Sequence, residues 1–412
     1  MSSLFKEASS AELIERARGC YTPNYRQSPI FPVRGEGARV WDRDGRAYLD
    51  LIAGIAVSSL GHGHPRLVQA IQEQAAALIH TSNLYFNEPA LALMEQLVDK
   101  SFADRVFFTN SGAESNEAAL KLARRYWREV RGRDDRSDYL TFHKSFHGRT
   151  FATVTATGQP KYHKGFEPML PGFHYADYDD LEAVERALDA ADDRVGAILI
   201  EPVQCEGGLR IPGPGYLTGL RKICDDRDVV LIFDEVQTGV GRTGQWFCYQ
   251  IEGVEPDIMT LAKGLGGGVP LGAMLCTNKV AGGFEPGSHA TTFGGNPLAT
   301  RAGLAVMTVI EEDGLLDHVR AMGAHLQGAL EGLVDKYPDR CIDARGHGLL
   351  RGLELRDDDG ETGRRVVAAC VDRGLLANAI GGRILRFAPP LVIQRAELDE
   401  AVQILDDVLG AL

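Results

Sequence analysis

Five short apolar runs constrain this chain more than any other feature: "RVFFTN" at 105–110, "DYLTFH" at 138–143, "VGAILIEPV" at 195–203, "VVLIFDEV" at 229–236 and "LGAMLCT" at 271–277. Each is rich in β-branched, aromatic or aliphatic residues and is bounded by turn formers, so each reads as a strand. They lack the regular alternation of apolar and polar residues that marks a strand with one wet face. Strands apolar on both faces need cover on both, a condition met by a largely parallel sheet between layers of helices. Helical patterns at 179–191 and 215–226 fall between the runs and supply such cover. The expected class is α/β, with one large domain over residues 60–295. The flanking segments, 1–59 and 296–412, mix a hairpin pattern ("ARVWDRDGRAYLDL"), amphipathic helices and short strands ("GLLRGLEL", "RILRFAPPL"). They are expected to join in a smaller α+β domain.

Composition narrows the function classes. A chain of 412 residues has room for two domains, and 44 Lys and Arg against 57 Asp and Glu give a net charge of −13. Such a surface repels nucleic acid and anionic membranes, which leaves small molecules as the expected partners. Seven cysteines, an odd number with no C-x-x-C among them, argue against a disulfide framework and for reduced thiols in the cytoplasm. The N-terminal "MSSLFKEASSAELIERARGC" has no basic region followed by an apolar core, and no stretch stays apolar for the roughly 20 residues that a membrane span needs.

In a parallel sheet, ligands gather beyond the carboxyl ends of the strands, and four such places carry polar groups. In "FFTNSGAESNEAALKLARRYW", Ser111 and Glu114 form a capping-box pattern, and Ala119, Leu120, Ala123, Tyr126, Trp127 and Val130 make an apolar stripe. A helix therefore starts near Gly112. Taken alone this is a capped helix; the free N–H groups of Gly112 and Ala113 at its positive end also suit a phosphate. In "LIFDEVQTGVGRTG", Asp234 ends a buried strand and needs a partner, as a cap, a salt-bridge member or the counterion of a bound cation. Gly239, Gly241 and Gly244 spell G-x-G-x-x-G, but "QWFCYQ" follows where a dinucleotide fingerprint needs a helix.

Lys263, in "TLAKGLGGGVPLGA", reads either as a solvated loop residue or, given the apolar "DIMTLA" before it, as a partly buried amine. Burial lowers a lysine pKa and makes it nucleophilic. In "HKSFHGRT", His143 and His147 have the spacing of helical metal ligands without further ligands nearby, so no metal is expected. Arg149 there suits a surface ion pair or a bidentate carboxylate clamp. A phosphate cradle, a buried carboxylate and a reactive lysine on one sheet edge together suit pyridoxal 5′-phosphate (PLP). The lysine would bind its aldehyde as an imine, the aspartate would keep the pyridine nitrogen protonated and the helix terminus would hold the phosphate.

The chain also resembles the class III (ornithine/GABA type) aminotransferases of the fold-type I PLP superfamily. The resemblance runs through "SPIFPVRGEGARVWDRDGRAYLDLIAGIAV", "GHGHP", "TNSGAESNEAALKLAR", "FHGRT", "EPVQCEGG", "DEVQTGVGRTG", "TLAKGLGGGVPLGA", "TTFGGNPLA" and "LRFAPPL". It implies a seven-stranded sheet in the large domain and a homodimer with shared active sites. It implies that Lys263 is the covalent anchor and Asp234 the partner of the pyridine nitrogen. Ser111, Gly112 and Ala113 would hold the phosphate, Phe146 would lie on the cofactor ring and Gln237 would reach the phenolic oxygen. Thr292 would reach the phosphate of the neighbouring subunit.

For substrate, the resemblance makes Arg149 and Arg386 carboxylate clamps and Glu206 the group that covers Arg386 when an ω-amino donor enters and withdraws for 2-oxoglutarate. Ile55, where ornithine enzymes typically carry tyrosine, resembles the acylornithine and GABA enzymes, and leaves acetyl and succinyl donors undecided. A PLP lyase such as a dialkylglycine decarboxylase is weighed against by the Glu206/Arg386 pair with Arg149, and a non-catalytic binding protein by the presence of Lys263 and Asp234. Cys205 and Ala290 depart from the glycines usual at those places; Cys205 adjoins Glu206 and bears on its movement.

Overall fold

The computed structural model describes Phe5, residues 8–357 and residues 359–412. Its centre is a seven-stranded sheet: β1 (Arg105–Thr109), β2 (Asp138–Phe142), β3 (Phe173–Ala176), β4 (Val195–Ile200), β5 (Val230–Asp234), β6 (Ile258–Leu261) and β7 (Gly272–Cys276), in the spatial order β1-β7-β6-β5-β4-β2-β3. The pairs from β3 to β6 are parallel, and only β7 runs antiparallel to its neighbours β6 and β1. All five anticipated runs are strands, trimmed at their ends. Two more, β3 and β6, complete the sheet. "DIMTLAK" contains β6; its four strand residues are too few for a periodicity to declare itself.

Period-two geometry explains why these strands are apolar throughout. Leu231 and Phe233 of β5 enter the core on one face with Ile198, Ile200, Leu140 and Phe142, while Val230 and Ile232 enter the core on the other with Ala197, Leu199 and Tyr139. Every residue of β4 and β5 is buried. The helix Gly112–Arg125 packs on β6 and β7 with the anticipated stripe inward as far as Trp127. Val130 is a correction: it is 48% exposed. The chain enters a π-helical turn at Tyr126–Val130, and the wider turn carries Val130 out of the stripe.

The hairpin of the N-terminal segment pairs Arg39–Asp42 with Ala47–Asp50, and the edge of the same sheet accepts Leu375–Leu376 in parallel. The two ends of the chain are thus joined by main-chain hydrogen bonds. A second antiparallel sheet holds Cys341–His347, Leu350–Leu355, Ile384–Phe387 and Asn378–Ile380. The helix Pro297–Glu312 packs on Pro65–Ala77 and Glu88–Asp99 and also touches Leu315–Lys336, so it bridges the two expected domains. Among the described residues no helix is long and apolar enough to cross a membrane.

Candidate active site

The carboxyl ends of β1, β2, β4, β5 and β6 point to one edge of the sheet, and antiparallel β7 begins there. The loops that leave this edge enclose a cavity of about 350 Å³. Its walls include Ser111, Gly112 and Ala113 after β1, Phe146 after β2, Glu206 after β4, Asp234 and Gln237 at the end of β5, and Lys263 after β6. Successive wall segments, 26 to 60 residues apart in sequence, converge here because each follows a strand of one sheet.

Asp234 is 5% exposed and is held by three donors: Asn116 Nδ2 at 2.8 Å, His147 Nδ1 at 2.8 Å and the backbone N–H of Val236 at 3.1 Å. Asn116 is itself oriented by Thr260 Oγ1, which donates to its Oδ1 at 2.7 Å. The Asp234 carboxylate fixes His147 with its proton on Nδ1, and the buried Nε2 has no partner among the described residues. Neither Asn116 nor His147 as a carboxylate partner was anticipated. Asn116 lies 118 residues from Asp234 and one turn into a helix, where spacing gives no sign of its target. The segment from His143 to Arg149 is not helical, so the two histidines do not share a helix face.

Lys263 stands on the first residue of a single 3-10 turn, with φ of 42°, and its Nζ has no hydrogen-bond partner among the described residues. Burial, and then the charge of Arg386, pulls its pKa below the ordinary lysine value, against the opposing pull of Cys205, Glu206 and Asp234. Arg386 is 2% exposed and donates from one nitrogen to Glu206, in a short ion pair, and to Gln237 Oε1 at 2.9 Å. Burial works to raise the Glu206 pKa, but Arg386, with Lys263 and Lys161, holds it below the usual carboxylate value. Glu201, also not anticipated, accepts the backbone N–H groups of Phe146 at 3.0 Å and Cys205 at 3.3 Å and so ties two walls of the cavity together. Burial, reinforced by Asp234, pushes its carboxyl well above the usual range.

The helix Gly112–Arg125 opens on the cavity. Ser111 Oγ accepts from Glu114 N at 3.2 Å, while the N–H groups of Gly112 and Ala113 have no acceptor among the described residues. Glycine is required at 112, since a Cβ would lie 2.7 Å from Val236 Cγ1. Phe146 lines the cavity. Arg149 is exposed at its rim and does not line it, and Cys205 is a buried wall residue packed with Leu209, Cys248 and Leu350. Ile55 is 43% exposed; the cavity is lined instead by Val57, two residues on. Thr292 lies outside the cavity on an exposed loop. Gly239, Gly241 and Gly244 sit in turns, with no helix opening on them.

These residues fit PLP. An uncommitted lysine amine, a carboxylate fixed by three donors and two free N–H groups at a helix terminus surround one cavity on the edge of a mostly parallel sheet. The fold and site define a fold-type I enzyme that uses PLP. Residues 20–409 match the family described as Aminotransferase class-III, and the chain belongs to that family. It is 50% identical over 388 residues, 94% of this chain and 96% of the relative, to an acetylornithine aminotransferase of Caldanaerobacter subterraneus subsp. tengcongensis. A relative of the same name from Methanocaldococcus jannaschii is 46% identical over 93% of this chain and 94% of its own. Among solved structures, an acetylornithine aminotransferase from Elizabethkingia anophelis superposes with a TM-score of 0.88 at 32% identity, covering 98% of this chain and all of the other. The ornithine aminotransferase of Toxoplasma gondii superposes at 0.94 with 34% identity, over 98% of this chain and 96% of the other.

Proposed function

We propose that this enzyme transfers the terminal amino group of N2-acetylornithine to 2-oxoglutarate, giving N-acetylglutamate 5-semialdehyde and glutamate. The observation that carries the reading is the Glu206–Arg386 ion pair beside Lys263, with Arg149 exposed next to the cavity-lining Gly148 and making no ion pair among the described residues. A donor that presents one carboxylate leaves Glu206 on Arg386 and gives its α-carboxylate to Arg149. For 2-oxoglutarate, Glu206 turns away and the two arginines take one carboxylate each, which a planar guanidinium does in bidentate fashion. One cavity thus serves two substrates of different charge. The relatives named acetylornithine aminotransferase favour the acetyl donor over succinylornithine.

Ser111, Gly112 and Ala113 would hold the PLP phosphate, Phe146 would face its ring, Gln237 its phenolic oxygen, Asp234 its pyridine nitrogen and Lys263 its aldehyde carbon. When bound, PLP supplies an electron sink for the charge left when a substrate carbon loses a proton. Lys263 Nζ takes that proton from the amine-bearing carbon, a role that its lowered pKa suits. Arg386 holds the Gln237 carbonyl oxygen, which turns the Gln237 amide N–H₂ away from Arg386. Phe146, Val203, Val236 and Leu271 give the cavity an apolar lining that strengthens the electrostatic contacts of the reacting atoms, while one water, admitted in the donor half-reaction, supplies the aldehyde oxygen of the product.

A homodimer is part of the reading. Leu84, Tyr85 and Phe86 are 83%, 70% and 107% exposed, and Phe293 beside Thr292 is 63% exposed. Asn83 Nδ2 donates to Thr291 O at 3.0 Å, so the two segments form one apolar face. A second copy covering that face would bring Thr292 to the partner's phosphate site. The seven free cysteines, six of them buried, suit the cytoplasm. The test is a half-reaction titration in which the visible absorption of the loaded enzyme is followed after addition of N-acetylornithine, N-succinylornithine, ornithine or 4-aminobutyrate. N-acetylornithine is expected to bleach it fastest; faster bleaching by 4-aminobutyrate or free ornithine would overturn the assignment.

A further inference from the structure

We infer that Tyr162 is the positioning residue that holds Arg149 ready for the substrate carboxylate. This rests on the reading of Arg149 as a carboxylate clamp. The guanidinium carbon of Arg149 lies over the Tyr162 ring, 4.1 Å from its centroid, and 5.5 Å from that of Phe146. Nothing else holds it: among the described residues no carboxylate, carbonyl or amide oxygen accepts from its nitrogens. Arg386, by contrast, is committed to the cavity-lining Glu206 and Gln237. A guanidinium held by a π face spends none of its N–H donors, so all five stay available to an anion.

Tyr162 is itself fixed. Its ring meets Phe146 edge-on, with centroids 5.8 Å apart and planes at 79°. Its backbone N–H donates to Gln159 O at 2.9 Å, and the buried Gln159 side chain donates to the carbonyls of Lys144 at 3.2 Å and Ser145 at 2.9 Å. The turn that carries Tyr162 is thereby sewn to the loop that carries Phe146 and Arg149. The platform then spans from the cavity wall to the clamp. Lys161 Nζ lies 4.7 Å from the same ring and adds positive potential at the rim. The Tyr162 hydroxyl makes no hydrogen bond among the described residues, so the aromatic face is the functional part.

The experiment uses PLP-loaded enzyme and glutarate, a dicarboxylate with no amino or keto group, titrated by calorimetry against the wild type and the variants Tyr162→Leu, Tyr162→Met, Tyr162→Phe and Arg149→Ala. Tyr162→Leu and Tyr162→Met are expected to weaken glutarate about five- to tenfold, the scale of a lost cation–π contact at a partly shielded site. Tyr162→Phe should stay within about twofold of wild type, since it keeps the ring. In turnover, the Leu and Met variants should raise KM for glutamate and 2-oxoglutarate in parallel while kcat holds, a split that a general loss of structure does not give. If Arg149→Ala weakens glutarate and the Leu and Met variants bind it as wild type does, Tyr162 has no positioning role although the clamp stands. If Arg149→Ala binds glutarate unchanged, the clamp reading itself fails and the role of Tyr162 falls with it.

Discussion

Asp234 and Lys263 acquire their chemistry from neighbours that are distant in sequence. Replacing Asn116 by alanine removes one of three donors to Asp234 and leaves the Thr260 hydroxyl without its acceptor. An unpaired buried polar group costs about 1–3 kcal/mol, so PLP affinity in Asn116→Ala is expected to fall about tenfold in a fluorescence titration. Lys263→Ala removes the proposed proton carrier and is expected to lower kcat by at least about 10³-fold, read as single-turnover formation of glutamate. Glu235 carries a pH dependence of stability. It is buried, and burial pushes its carboxyl up to about 7, although Tyr249 N, Cys248 N and Thr238 Oγ1 all donate to it. In the unfolded chain it titrates near 4.5. Between these values the folded state holds the extra proton, so the contribution is complete below pH about 4.5 and is lost as pH rises through about 7. Urea unfolding is expected to show a loss of up to about 3 kcal/mol over that window, and Glu235→Gln should remove this part of the slope.

At the scale of elements, the N-terminus of helix Gly112–Arg125 depends on a close approach. Gly148 has φ of 139°, and a Cβ there would meet Thr153 Oγ1 at 2.6 Å and Ala113 Cβ at 2.8 Å. Gly148→Ala is therefore expected to push the helix start away from the cavity and raise the PLP dissociation constant by at least about tenfold, with inorganic phosphate losing its competition in parallel. The segment Ala53–Ala56 is bent the other way from an ordinary helix: all four residues have positive φ, Ile55 among them at 65°. A β-branched residue in the left-handed region is strained, and Ser59 Oγ, just beyond, donates to Gly264 O at 2.9 Å in the turn that holds Lys263. The strained element thus packs against the turn that carries Lys263.

At the scale of the whole molecule, one sheet edge gathers five loops into a single cavity, while the apolar face at 84–86 and 293 stands outside it. Phe86→Asp places a charge at the most exposed point of that face. Sedimentation velocity is expected to show monomers for this variant, and activity should fall with the dimer fraction because Thr292 would no longer reach a partner's site. A variant that remains dimeric and active would place the interface elsewhere.

The α/β class, five of the seven central strands, the helix start at Gly112 and the cluster of Lys263, Asp234 and Gly112 were readable in the sequence, because burial on both faces, capping and strand-end polarity are local and leave local patterns. β3 and β6 were not, since four-residue strands carry too little period. Nor was the outward turn of Val130, which comes from a change of helix pitch rather than of residue type. Asn116, His147 and Glu201 became site residues only when strands far apart in the chain were laid side by side: a buried hydrogen bond is a property of two partners, and neither states the other's address. The same holds for Arg149, whose lack of an acceptor among the described residues and whose rest on Tyr162 are facts of packing. The sequence determined which chemical groups reach the sheet edge, and tertiary structure decided which of them touch.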